Sequence, residues 1–261
     1  MQNVLVERID GLVTLTFNRP DTKNAIDGPT WSELDAALVE VEENPEDRAL
    51  VITGAGGNFS SGADLSGGAS NRDAAERRPI VESMRTMGNI LLRLHRLPKP
   101  TLAKVDGVAV GVGLGVALAC DLVVASDRAR FCEIFSKRGL ALDGGNSWVL
   151  PRLVGLQKAK ELAFFADMVS ADEAAAIGLV NKVVPADQLD EVADEWARRL
   201  ANGPTLALSL SKRLLNASSG SSFDESLEDE GRCQHILFTS TDMREAMIAY
   251  HERRDPKFCG Y

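Results

Sequence analysis

Two glycine-rich stretches, Ser60-Ser61-Gly62-Ala63-Asp64 and Val110-Gly111-Val112-Gly113, each follow a strand pattern and lead toward a helix pattern. Turns of this kind leave backbone N–H groups unpaired at or near a helix start, and such donors form nests for anions. If the two turns face each other, their N–H groups make an oxyanion hole for a carbonyl that gains negative charge during reaction. Groups able to exchange protons nearby are few. On residue type alone, Asp64 reads as a loop-stabilising cap and Glu133 as a solvated or salt-bridged strand residue. Asp143 lies in Gly139-Leu140-Ala141-Leu142-Asp143-Gly144-Gly145, just before Asn146, Ser147 and Trp148, where an aspartate reads as a turn or helix cap.

Other chemistries lose their signatures. Gly111-Val112-Gly113-Leu114-Gly115 begins like a dinucleotide loop, but G-x-G-x-x-G requires glycine at 116 and the chain has Val116. There is no G-x-x-x-x-G-K-[ST] phosphate loop and no G-x-S-x-G nucleophile elbow. His95, His235 and His251 show no metal-ligand spacing, and Cys120, Cys132, Cys233 and Cys259 show no C-x-x-C. No metal is expected, and the cysteines read as reduced packing thiols.

The elements that position these residues follow from pattern. The chain has 261 residues, 44% hydrophobic, enough for one large domain or one plus a small appendage. Its net charge of −9 argues against nucleic acid as a partner. The longest apolar run, 108–120, falls short of the roughly 20 residues of a membrane-spanning helix, so no membrane partner is expected. No leader pattern opens the chain, and the expected compartment is cytoplasmic. Residues 4–18 alternate about Asp10-Gly11 and predict a hairpin; 30–43 predict a helix with Thr30 and Glu33 as a capping pair. Strands are expected at 49–53, 102–105, 122–125 and 181–184, a helix from about Arg72 to Arg96, and a buried helix at 111–120. From Asn146 onward the pattern is otherwise helical.

Several stretches together carry a family likeness: Leu15-Thr16-Phe17-Asn18-Arg19-Pro20 with Asn24-Ala25, then 59–65, 98–121 and 131–139, and Leu150-Pro151-Arg152-Leu153-Val154-Gly155. Over essentially its whole length the sequence resembles the crotonase, or enoyl-CoA hydratase/isomerase, superfamily. The resemblance implies an α/β fold in which repeated ββα units form a spiral core, residues 1–200. A helical C-terminal trimerisation region, residues 201–261, would complete it, giving homotrimers or dimers of trimers. It also implies acyl-coenzyme A thioesters as substrates, with no tightly bound cofactor beyond the coenzyme A of the substrate.

Carried over by motif, the resemblance makes the backbone N–H groups of Ala63 and of Val112, after Gly111, the oxyanion donors. Val112 stands where glycine is more usual. The two glutamates of similar hydratases fall on Gly115 and Phe135, which exchange no proton, whereas Asp143 stands where similar isomerases carry a carboxylate; Leu142 replaces the proline before it. The expected mechanism is an isomerase shuttle in which Asp143 takes the C2 proton of a 3-enoyl-CoA and returns it at C4, with Phe135 and Leu140 as the apolar wall that raises its pKa. For coenzyme A the likeness suggests Lys23, Ala25, Ser61, Ala63, Asp64 and Leu65, with Arg253 and Phe258 from the C-terminus; Val108 and Phe135 would line the acyl pocket. The alternatives are a hydratase with a relocated acid/base, and a catalytically weak acyl-CoA-binding protein.

Overall fold

The computed structural model describes residues 2–66 and 80–261. The expected helix start near Arg72 and the end of the glycine- and serine-rich loop at 67–70 lie outside the described residues. Strands β1 (Val4–Ile9) and β2 (Leu12–Phe17) form the hairpin, turning at Asp10 and Gly11, both with positive φ. Helix α1 (Gly28–Glu43) follows. Its cap is Asp27, whose Oδ1 accepts from the Thr30 N–H at 2.9 Å, so the expected Thr30–Glu33 pair is corrected. Glu33 instead accepts the backbone N–H groups of Asn3 and Val4 and pins the start of β1.

Strand β3 (Ala49–Gly54), α2 (Ile80–Arg96), β4 (Thr101–Val105), β5 (Val108–Val110), α3 (Val112–Ala119), β6 (Leu122–Ser126) and β7 (Arg130–Cys132) come next. Sequence patterning sets no bounds for the short strands β5 and β7, because three residues are too few to show a period. Then follow α4 (Asn146–Val154), α5 (Leu156–Phe165), β8 (Val169–Ser170), α6 (Ala171–Ala176), β9 (Lys182–Val184) and α7 (Leu189–Ala201). Helices α8 (Thr205–Ala217), α9 (Phe223–Leu237) and α10 (Thr241–Glu252) form the helical C-terminal region.

The strands make a six-stranded sheet, β1-β2-β3-β4-β6-β9, parallel from β2 onward, and a three-stranded sheet, β5-β7-β8. Successive turns of the chain give one strand to each: β3 then the Ser60 bridge to Ala109, β4 then β5, β6 then β7. This is the ββα spiral, with α2 and α3 closing the first two turns. The middle of the large sheet is buried on both faces, which is why β3 reads as an unbroken apolar run, Ala49-Leu50-Val51-Ile52. Val51, Leu102 and Val124 pack with Ala193 and Ala197 of α7, while Leu50, Ile52 and Ala103 face the main core with α1 and α3. Every residue of α3 is buried, which only small and apolar side chains permit.

Candidate active site

The spiral sets corresponding residues side by side. The Ser60 N–H donates to the Val108 carbonyl at 2.9 Å and the Val110 N–H to the Ser60 carbonyl at 3.0 Å, so the Ser60–Ala63 backbone runs along β5. Beyond it, Val110 pairs in register with Cys132. The residues leaving this row are therefore Gly62-Ala63, Gly111-Val112 and Glu133. Gly62, at φ 94°, leaves no space for a side chain: a Cβ would stand 2.7 Å from the Val110 carbonyl oxygen and 3.9 Å from the Val112 nitrogen. The two glycine-rich turns thus converge. Among the described residues, neither the Ala63 nor the Val112 N–H has a hydrogen-bond acceptor. Val112 is the first residue of α3, so its N–H also carries the positive end of the helix dipole. Its side chain is turned into the core, 3% exposed.

The segment 139–145 lies against this corner. A Cβ on Gly144 would stand 3.3 Å from Val112 Cγ2, and one on Gly115 only 2.7 Å from the Gly144 carbonyl oxygen. The Gly144 backbone therefore fills the space that a side chain at 115 would need. Asp143 turns the chain through its backbone, its carbonyl accepting the Asn146 N–H at 3.1 Å. Its side chain caps no helix: α4 begins after Gly145 without a side-chain cap, and Asp143 Oδ1 is buried without a partner. Burial raises the Asp143 pKa.

Glu133 departs from expectation. It is 2% exposed and in no ion pair among the described residues; one oxygen, Oε2, accepts from Asn146 Nδ2 at 3.1 Å and the other has no partner. Burial, with the nearby Asp143 charge adding to it, pushes its pKa up to about 8 against the Asn146 hydrogen bond. The reading as a solvated or salt-bridged residue is corrected. The signal was a single acid inside the apolar run Phe131-Cys132-Glu133-Ile134-Phe135. Asn146, fully buried, also donates to the Gly111 carbonyl at 3.3 Å and ties Glu133 to the start of α3.

Asp64, by contrast, has the stabilising role expected of it. It accepts from the Ser66 N–H and hydroxyl and from the Arg19 guanidinium at 2.8 Å, and these, Ser66 first, hold its pKa down to about 2. Around it the 23–26 turn lies along 61–64: the Ser61 N–H donates to the Lys23 carbonyl at 2.8 Å and the Ile26 N–H to the Gly62 carbonyl at 2.8 Å. Lys23, Ala25, Ser61, Ala63, Asp64 and Leu65 thereby share one corner, with Leu65 and Lys23 exposed. Val108 is half-buried at the start of β5. Phe135, 6% exposed, packs toward Gly111, whereas Leu140 is 59% exposed and is not part of a closed apolar wall.

Phe258 lies elsewhere within the chain, a few residues beyond Arg253, which ends α10. The Phe258 carbonyl accepts from Arg48 at 2.9 Å, beside the N-terminal end of β3, and the Lys23 turn sits beyond the opposite end of that strand. Gly144 and Gly145 also border a cavity of about 690 Å³ between α2, α4 and α8, whose walls include Gly88, Leu91, His95 and Trp148. Among the described residues, no group of His, Cys, Asp or Glu side chains is placed to hold a metal ion.

The family model for enoyl-CoA hydratase/isomerase matches residues 7–260. The chain belongs to the enoyl-CoA hydratase/isomerase family. Among curated relatives of this hydratase/isomerase-family chain, the 1,2-epoxyphenylacetyl-CoA isomerase of Escherichia coli (strain K12) is 36% identical, with 100% of this chain and 99% of the relative covered. The short-chain-enoyl-CoA hydratase of Clostridium acetobutylicum is 35% identical, covering 97% and 96%. A crystal structure of enoyl-CoA hydratase from Bacillus anthracis superposes with a TM-score of 0.93 at 28% identity, covering all of both chains. Isomerases and hydratases thus stand at similar distance from this family member, so the likeness fixes the fold and family while the site residues have to carry the choice of reaction.

Proposed function

We propose that this protein shifts a carbon–carbon double bond in an acyl-coenzyme A thioester, converting a 3-enoyl-CoA to the conjugated 2-enoyl-CoA. The Asp143 carboxylate takes a proton from C2. The electron pair of the broken C–H bond moves into the thioester, giving a dienolate whose oxygen accepts from the Ala63 and Val112 N–H groups. The Asp143 acid then gives the same proton to C4, the double bond settles between C2 and C3, and the carboxylate is restored. Preorganised donors at the oxyanion contribute several kcal/mol to such a step. The observation that carries the reading is Asp143 itself: its carboxyl has a buried oxygen with no partner, on a segment packed against Val112, while positions 115 and 135 hold residues that exchange no proton.

For the coenzyme, Lys23 gives the positive charge that phosphates need in an acidic chain, and the backbone of 61–65 flanks it. Val108 and Phe135 border the thioester, and the cavity behind Gly144 and Gly145 has room for the acyl tail. Because Phe258 is remote from Lys23 within one chain, a homotrimer would let a neighbouring copy supply it, together with Arg253.

The test incubates the purified protein, beside an Asp143→Asn variant, with 3-enoyl-CoA and 2-enoyl-CoA, and follows double-bond migration and water addition by mass spectrometry. The expected outcome is isomerisation that falls about 10²- to 10⁴-fold in the variant, the usual scale for losing an acid–base group. Hydration that survives the substitution would overturn the reading, and thioester binding with no turnover would make the protein a binder.

A further inference from the structure

Among the described residues, the buried side-chain oxygens without a hydrogen-bond partner are Glu133 Oε1, Asp143 Oδ1 and Asn146 Oδ1, and all three belong to one cluster. Asn146 Nδ2 joins Glu133 Oε2 to the Gly111 carbonyl, and the Asn146 N–H joins the same residue to the Asp143 carbonyl. Glu133 occupies the place in the third turn of the spiral that Gly111 occupies in the second, by the Val110–Cys132 register. It therefore stands directly behind the helix start that presents the Val112 donor. No cationic side chain among the described residues pairs with it, and the one ionisable group whose charge it feels is Asp143. An ionised carboxylate so enclosed has lost its hydration without gaining a counter-charge, a cost that is relieved by holding a proton.

We propose that Glu133 is a positioning residue of the same site: as a neutral acid it braces Asn146 against the Gly111 carbonyl and leaves Asp143 the one charged carboxylate, and its ionisation stops turnover. The inference rests on the reading of Asp143 as the base. Ionised, Glu133 would put a second negative charge behind the oxyanion donors and beside the base. That charge opposes formation of the dienolate, which itself adds negative charge at the Ala63 and Val112 N–H groups. The groups around Glu133 are Asn146 from α4, Asp143 from the loop before it, the Gly111 backbone from the start of α3 and the adjacent Cys132 thiol of β7, which burial raises first and the Glu133 charge raises further against Lys137; of these Asp143 and Cys132 titrate.

The decisive variant is Glu133→Gln, which keeps an oxygen for Asn146 and cannot ionise. For the wild type, turnover falls about tenfold for each pH unit above the ionisation near pH 8, as for a single essential proton, and this alkaline limb is absent from Glu133→Gln. A limb that persists unchanged in the variant overturns the proposal. A second measurement needs no turnover and, for its main readout, no variant: carbon-13 NMR of glutamate carboxyls in the unliganded wild type, repeated in Asp143→Asn. One glutamate titrating near pH 8, with a midpoint that drops in Asp143→Asn because the neighbouring charge is gone, supports the proposal. All glutamates ionised below pH 6 would overturn it, whichever reaction the site performs. Since this titration is read without substrate, failure of the isomerase reading alone leaves it intact.

Discussion

At the scale of single residues, two carboxyls a few side chains apart meet different environments and hold their protons differently. Asp143 is half-buried and Glu133 enclosed, so burial raises both, Glu133 to about 8. For Glu133 this sets a stability dependence whose sign is definite. The folded state binds the proton more tightly than the unfolded chain, where the ordinary value is 4.5, so the stabilisation is fully present below pH 4.5 and is lost as pH rises through 8. We expect the Glu133→Gln variant to lose less stability than the wild type between pH 5 and 8, measured by urea denaturation at each pH. Equal slopes for both proteins would contradict a neutral Glu133 in the fold. Asp143 shows why residue type alone was ambiguous: an aspartate before Gly-Gly-Asn has the composition of a turn, and its backbone does make that turn. The unpartnered side-chain oxygen rules out the cap and leaves the carboxyl open to the proposed role of base.

At the scale of elements, the corner proposed to hold the oxyanion depends on two backbone segments that touch. Gly62→Ala introduces a Cβ 2.7 Å from the Val110 carbonyl oxygen at a φ of 94°, and the segments have to separate. Expected is a loss of about 10²- to 10³-fold in kcat, the scale of losing one oxyanion donor, with a smaller change in KM. A kcat within twofold of wild type would show that the corner does not hold the oxyanion. Helix α2 offers a contrasting glycine. Among the described residues a Cβ on Gly88 meets nothing within 4 Å, yet Gly88 borders the cavity beside Gly144 and Gly145. Gly88→Phe should therefore fold normally and lower kcat/KM for long acyl chains about tenfold more than for short ones, since each displaced methylene in an apolar pocket is worth about 1–3 kcal/mol. Equal effects on both chain lengths would place the acyl tail elsewhere.

For the whole molecule, the C-terminal helices hold the clearest unmet requirement. Phe223, Phe238, Ile236 and Leu215 are exposed on α8 and α9 or just beyond, more large apolar surface than a lone subunit usually leaves in water. At the same time Lys212 of α8 reaches the core, pairing with Asp121 at 2.9 Å and donating to the Lys99 carbonyl at 3.2 Å, so the helical region is fastened to its own spiral. We expect a homotrimer or a dimer of trimers, read as molecular mass by light scattering across a dilution series. A stable monomer would also remove the route by which Arg253 and Phe258 could approach a Lys23 corner.

The amino-acid order by itself determined the local elements and the two turns, but not that the turns meet. The Asp10-Gly11 turn, the unbroken apolar run of β3, the all-small helix after Gly111 and the two glycine-rich turns are each set by interactions among near neighbours, and each is visible as a pattern. What only the tertiary structure decided was convergence. The contact of Gly62 with Val110, the Gly144 backbone occupying the room beside Gly115, and the burial of Glu133 behind Gly111 join residues tens of positions apart. A charge near Phe131 and Cys132 looks the same in sequence whether a strand end is wet or sealed, because desolvation depends on what the rest of the chain packs over it.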